Sequence, residues 1–330
     1  MRKALFIAFI LGEMVVAFIL VAIIVHKISE RREINVNVID KGTIDFPLKN
    51  SKHLSHYYEP KANIQQKSKE KWLSFHPIYT INSDTLNEAR NYPVKKSVDT
   101  FRIVTIGDSF TFGQYVNTKD NWTELLETKL SSTCTKKKYE VINIGVGGYD
   151  LAYSVNRYLS RGKKYNPDLL IFLLKDDDFS EIKDITANVK WDYVKKFESN
   201  PANASRLTEG TIDLNSAAFE EGIRELRKYY SEEEVVVYQL KNLQTLIDTN
   251  KNLFIMNVYT YSPQILTAIS NQVEGHRNVT FEPNLIQPIQ LIDQQYTYLP
   301  FDMHPNTKGH MLIADRVYNY LVTNKLVPCE

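Results

Sequence analysis

The chain has 330 residues, 43% of them hydrophobic and 24% charged, which are ordinary globular values and enough for one large α/β domain with a small appendage. A formal net charge of +1 argues against nucleic acid as a partner, because nucleic-acid binders carry a strong basic excess. Two cysteines, Cys134 and Cys329, exclude a disulfide-rich scaffold and a cysteine-built zinc site, and leave room for one bridge in an oxidising compartment.

Residues 4–25 are almost entirely apolar, and at about 1.5 Å per helical residue they are long enough to cross a hydrocarbon core of about 30 Å. A cleaved signal peptide would have a shorter apolar core ending in a small-residue cleavage site, and no such site precedes His26, so an uncleaved anchor is expected. Glu13 lies in mid-span at a cost of about 2.5–3.5 kcal/mol, which the surrounding Ile, Leu, Val and Phe offset. Arg2 and Lys3 precede the span while Lys27, Arg31 and Arg32 follow it, so the flanking charges alone do not orient it. Residues 26–100 read as a polar, lysine-rich juxtamembrane stalk, with short extended pieces at 44–48 and Ile78–Ile81.

From residue 101 the pattern alternates. Residues 103–106 form a buried strand ending at Gly107, followed by a helix carrying Trp122, Leu125, Leu126 and Leu130. A second strand at 141–144 closes on Gly145, Gly147 and Gly148, and a helix with Leu151, Val155 and Tyr158 follows. The most apolar strand is 169–174, with further strands at 253–259 and 279–281 and a last helix over 307–324. Strands alternating with helices imply a central parallel sheet covered on both faces. Residues 179–250 are an insertion, with one amphipathic helix on Phe219, Ile223 and Leu226 and a second on Val236, Leu240, Leu243 and Ile247. The stretch 190–210, with Trp191 and Phe197, is either a cover over a site or a passive excursion.

Two blocks carry chemistry. Residues 101–113 read FRIVTIGDSFTFG, which puts Ser109 just past the end of a parallel strand, where open α/β sheets bind ligands. A hydroxyl there needs a neighbouring base to become a nucleophile. The second block, 301–306, reads FDMHPN. The His304 imidazole suits general-base work near neutrality, and Asp302 beside it suits fixing its tautomer. With seven histidines and no helical His pair, no metal is expected. His310 reads as a helix residue, and Tyr149 and Tyr153 as core residues or a pocket lining.

Together the blocks resemble the SGNH (GDSL-like) hydrolase superfamily over roughly residues 79–321. The preamble INSDTLNEARNYP resembles that of its exported, membrane-anchored members. The resemblance implies a three-layer α/β/α fold with a central parallel sheet (flavodoxin-like), here behind one transmembrane helix. It makes Ser109 the nucleophile, His304 the base and Asp302 the residue that orients it, with the N–H groups of Ser109 and Gly148 as the oxyanion hole. The Asp-x-His spacing resembles that of exported acyl-transfer relatives. Where the family usually has Gly-x-Asn-Asp, with the Asn amide as oxyanion donor, residues 175–178 read KDDD and Asp177 stands at the asparagine position. An ionised carboxylate there repels the oxyanion and only a protonated one donates; alternatively these acids cap the next helix.

The expected organisation is an anchor at 1–25, a juxtamembrane stalk and preamble at 26–100 and a catalytic domain at 101–330 with its helical insertion at about 179–250. The implied function is a serine ester hydrolase without cofactor, acting on an acyl ester that is glycan-linked or small. Its localisation would be single-pass, with the domain extracytoplasmic on the periplasmic or cell-surface side. An O-acyltransferase of the same fold and a catalytically silent binding protein are the alternatives.

Overall fold

In the computed structural model the described residues are 40–42, 57–68, 70, 72–200, 203, 214–259, 261–286 and 293–329. The apolar segment 4–25 and the extended piece expected at 44–48 lie outside them. No helix among the described residues is long and apolar enough to cross a membrane.

Two short antiparallel pairs come first: β1 (Asp40–Gly42) with β2 (Tyr57–Glu59), and β3 (Ile64–Lys67) with β4 (Ile78–Ile81). The sheet is made of β5 (Thr100–Ile106), β6 (Lys138–Asn143), β7 (Leu169–Leu173), β8 (Leu253–Met256) and β9 (Val279–Glu282). All neighbours are parallel, in the order β6-β5-β7-β8-β9. The chain runs from β5 outward to β6 and then returns across β5 to β7. The switch point, and the crevice it opens, therefore lies at the C-terminal end of β5. The short α1 (Ser109–Phe112) starts there, followed by α2 (Trp122–Thr133) and α3 (Leu151–Arg157). The remaining α-helices among the described residues are α4 (Lys183–Glu198), α5 (Leu214–Leu226), α6 (Glu232–Thr249), α7 (Pro263–Val273) and α8 (Thr307–Thr323). An antiparallel pair, β10 (Thr297–Tyr298) and β11 (Asp302–Pro305), precedes α8.

Alternation along the strands divides the core into two layers. Val104, Ile106, Leu170, Phe172 and Ile255 pack against α3, α6 and α7 through Leu151, Val155, Leu243, Leu246, Ile265 and Ile269. Ile103, Ile171, Leu173, Phe254 and Met256 point the other way, onto Trp122, Leu126 and Leu130 of α2 and Ile313, Val317 and Leu321 of α8. This is an α/β fold with a central parallel sheet, as the alternating sequence implied. A disulfide joins Cys134, at the end of α2, to Cys329 beyond α8, with the Cα atoms 4.3 Å apart.

Three expectations change. The strand expected over 253–259 stops at Met256, because the Asn257 side chain accepts the backbone N–H groups of Val258 and Tyr259 and takes them out of the ladder. Among its described residues the insertion holds three α-helices, α4, α5 and α6, where two were expected. α4 has apolar residues at Ile185 and Ala187 near its start, but further along Trp191, Tyr193 and Phe197 stand among lysines, which weakens its periodic signal. Finally, described residues of 57–99, within the expected stalk and preamble, pack on the sheet domain. Leu86 and Tyr92 enter the core layer of α3, and Tyr79 and Ile81 pack on Phe112. Glu59 and Arg157 form a buried ion pair of 2.5 Å. The polar sequence of 57–99 hid this because much of its attachment is by hydrogen bonds and charge rather than by a periodic apolar face.

Candidate active site

Gly107 leaves β5 with φ +146°, and a Cβ there would come within 2.4 Å of Thr111 Oγ1 and 2.7 Å of the Leu173 carbonyl. Only glycine permits this turn, which brings the next two residues over the end of the sheet. Asp108 caps α1, its Oδ1 accepting the Phe110 N–H at 2.9 Å. Ser109 opens the helix, half-buried, at the switch point.

The other half arrives from the far end of the chain on β11. His304 Nε2 lies 2.7 Å from Ser109 Oγ across a sequence separation of 195 residues. Its Nδ1 lies 2.5 Å from Asp302 Oδ1, which also accepts the His304 backbone N–H at 2.7 Å. Burial pushes the Asp302 carboxyl up, but its hydrogen bonds and charge interaction with His304 outweigh this and hold it below the usual carboxylate range. A carboxylate on Nδ1 fixes the tautomer with its proton there and leaves Nε2 able to accept the serine proton. The imidazole is packed in place by Phe110, 5.0 Å away, and by the edge of Tyr115, 5.3 Å away. The arrangement can deprotonate a hydroxyl in the act of attack.

The glycine loop after β6 closes the other side. Gly148 is exposed with φ +75°, while a Cβ on Gly147 would lie 3.8 Å from Ser109 Cβ, so Gly147 also borders the serine. Tyr149 and Tyr153 are fully buried and meet edge to face, and Tyr153 donates to Asp184 at 2.8 Å, so both are core residues.

The acidic run divides its work. Asp178 accepts the backbone N–H of Lys175 at 2.7 Å and is the capping acid. Burial, reinforced by Asp108 and Asp177, pushes its carboxyl up. Asp176 accepts the N–H and hydroxyl of Ser262 at 2.9 and 2.8 Å. Asp177 is largely exposed, and its Oδ2 pairs with Lys175 Nζ at 3.0 Å. Lys175 is the residue the sequence reading missed. Its buried ammonium also pairs with Asp108 Oδ2 at 2.9 Å and lies 4.4 Å above the Phe110 ring. Burial lowers its pKa, but Asp108 and Asp177 more than reverse this and keep it charged. Asp108 Oδ2 in turn accepts the Ser109 hydroxyl at a long 3.4 Å. A lysine directly after the most buried strand was the available signal. His310 lies buried in α8, with Nδ1 accepting the Trp122 N–H at 3.2 Å.

Solved structures similar to this one include TesA (14% identity, covering 67% of this chain and 97% of that one, TM-score 0.44). Another is the psychrotrophic esterase EstA from Pseudoalteromonas sp. (15% identity, 68% and 99% coverage, TM-score 0.44). A third is the acetyl xylan esterase AlAXEase (14% identity, 67% and 100% coverage, TM-score 0.40). Comparison with curated protein sequences gives no match. The profile of the GDSL-like lipase/acylhydrolase family matches residues 103–317, a span that opens on β5 before Ser109 and closes in α8 after His304. The chain belongs to the GDSL-like lipase/acylhydrolase family of hydrolases.

Proposed function

We propose that this chain is a serine ester hydrolase that removes O-acyl groups, carried by envelope glycans or small exported esters, through an acyl-enzyme on Ser109. The observation that carries the reading is the continuous chain Ser109–His304–Asp302, at 2.7 and 2.5 Å. Ser109 Oγ attacks the ester carbonyl carbon while His304 Nε2 takes its proton, and Asp302 stabilises the imidazolium that forms. The carbonyl oxygen becomes an oxyanion facing the N–H groups of Ser109 and Gly148. Collapse breaks the ester C–O bond, and the departing alcohol takes the proton from His304. Water then attacks the acyl carbon as His304 accepts its proton, releasing the carboxylic acid and returning the proton to Ser109.

The same reading places the site on the outer face of a membrane, tethered by residues 4–25. The Cys134–Cys329 bridge supports it, since such bridges persist in oxidising compartments and are rare in reducing ones. One experiment addresses both points: a membrane-impermeant fluorophosphonate applied to intact spheroplasts carrying the full chain. The expected result is an adduct on Ser109, absent in Ser109→Ala. Labelling only after lysis reverses the orientation. No adduct in folded protein, before or after lysis, rejects the serine mechanism.

A further inference from the structure

Beside His304 the two ends of the domain build an aromatic shelf. Tyr115 follows α1 in a left-handed conformation, φ +67°. Its N–H donates to the Tyr79 hydroxyl at 2.7 Å, and its carbonyl accepts the Tyr298 hydroxyl at 2.7 Å. Those two bonds fix the ring edge-on to His304. Trp72, from the segment ahead of the sheet, meets Tyr115 and Tyr298 edge to face at 4.9 and 5.5 Å. It also lies nearly parallel to Phe301, with an interplanar angle of 18° and centroids 6.1 Å apart. Phe301 is 73% exposed. Gln114 is half-buried between this shelf and the glycine loop, its Oε1 lying 3.4 Å from where a Gly147 Cβ would sit.

A core explanation does not fit a ring that is mostly in water, and exposed aromatic clusters fixed by hydrogen bonds mark binding surfaces. Two parts of an ester are candidates for it. A long acyl tail is held in a closed apolar channel that buries most of its surface, and a shelf ending in a 73% exposed ring leaves it wet. A sugar ring differs: its C–H face covers one aromatic ring, while its hydroxyls stay in water or bond to polar groups at the rim. The Trp72 indole N–H and the Gln114 amide are such groups.

Building on the ester-hydrolase reading, we propose that Trp72, Tyr115, Tyr298 and Phe301 form a sugar-binding subsite that holds the alcohol half of an O-acylated glycan, with its ester oxygen toward Ser109. The ring next to the reacting hydroxyl packs against Tyr115 and Trp72, and the chain continues over Phe301. The acyl half points to the glycine loop, where only a small group is needed. The shelf then selects the carrier, and the serine acts on whatever acyl group it presents.

The test compares 4-nitrophenyl acetate with partially O-acetylated xylotetraose as substrates for the detergent-solubilised full chain, its Trp72→Ala and Trp72→Phe variants, and Phe301→Ser. Phe301 is exposed enough for its replacement to fold even if Trp72→Ala does not. The expected result is that Trp72→Ala and Phe301→Ser lower kcat/KM on the oligosaccharide at least tenfold more than on the aryl acetate. The loss should appear in KM and be largely recovered in Trp72→Phe. An equal fall on both substrates, or a loss confined to an aryl octanoate, overturns the subsite. Calorimetric titration of xylotetraose into Ser109→Ala, and into the same protein carrying Phe301→Ser, separates the two hypotheses. Binding that Phe301→Ser abolishes, together with no esterase activity in the unsubstituted chain, rejects the hydrolase and keeps the sugar site.

Discussion

Lys175 joins the anomalous acidic run to the serine turn. Its ammonium lies between Asp108, which caps the helix bearing Ser109, and Asp177, which the sequence register puts at the expected amide-donor position. Asp177 Oδ2 accepts from the Lys175 ammonium, and a carboxylate side chain carries no N–H to offer an oxyanion. Asp177→Asn is nearly isosteric and supplies an N–H₂ group, while Lys175 keeps Asp108 as its partner. Activity on 4-nitrophenyl acetate is expected to rise, by up to about 10²–10³-fold, the effect of one oxyanion donor. An unchanged kcat/KM at every pH would place Asp177 outside the reaction. Ser109, Asp302 and His304 were legible because a nucleophile turn and an Asp-x-His block need particular residues at fixed spacing, whatever lies between them. Lys175 was not, because a lysine after a buried strand ordinarily turns to solvent, and only the fold shows two carboxylates drawing it inward.

The pair α2 and α8 shows how one helix can complete another. Asn121 precedes α2 without a side-chain capping bond, and the first helical N–H, that of Trp122, is satisfied by His310 Nδ1 from α8. That nitrogen accepts only while it is unprotonated. Burial above all, with a smaller contribution from His304, pushes the His310 pKa down to about 3. Unfolded, the same imidazole takes a proton near pH 6.5, so the unfolded chain binds more protons than the native one between about pH 6.5 and 3. The stability it contributes is complete above pH 6.5 and is lost as pH falls through that window, at about 1.4 kcal/mol per pH unit. Asp150 acts in the opposite sense, because burial raises it to about 6 and the native state gains protons there. A comparison with His310→Asn, which keeps an acceptor but does not titrate, cancels that contribution. Between pH 7 and 5 the wild type should lose about 2 kcal/mol more unfolding free energy than the variant in urea titrations. Parallel pH profiles would mean that the buried imidazole is protonated in the native state. The helices themselves were legible from their 3.6-residue period. The cross-helix bond was not, since it depends on how α8 seats against α2.

At the scale of the whole molecule, residues 57–99 decide where the folding unit begins. A chain cut at residue 101, where the strand–helix alternation starts, would keep the sheet except Thr100, the first residue of β5, and the three residues of the serine site. It would also leave buried charge stranded. The Arg157 guanidinium pairs with Glu59 at 2.5 Å and donates to the Thr85 carbonyl at 2.7 Å. The Arg102 guanidinium donates to the Pro93 and Val94 carbonyls at 2.9 and 3.1 Å. Glu88 accepts the Asn143 N–H at 2.5 Å, and Asn87 donates to the Phe112 carbonyl at 2.7 Å, just past Ser109. Breaking one buried ion pair costs about 3–5 kcal/mol, and each further stranded polar group about 1–3 kcal/mol. Exposing the surfaces beneath Leu86, Tyr92 and Tyr79 adds to this, against a typical total stability of about 5–15 kcal/mol. A fragment of residues 101–330 is therefore expected to lack a cooperative urea transition and near-ultraviolet circular dichroism, whereas residues 40–330 should show both. Loss of the segment also removes the Tyr79 hydroxyl that holds Tyr115 against His304, so the shorter fragment should not take up fluorophosphonate at Ser109. If it unfolds cooperatively at the same urea midpoint and labels at the same rate, residues 57–99 are an appendage after all. The site would then owe its geometry to the sheet, α1 and β11 alone.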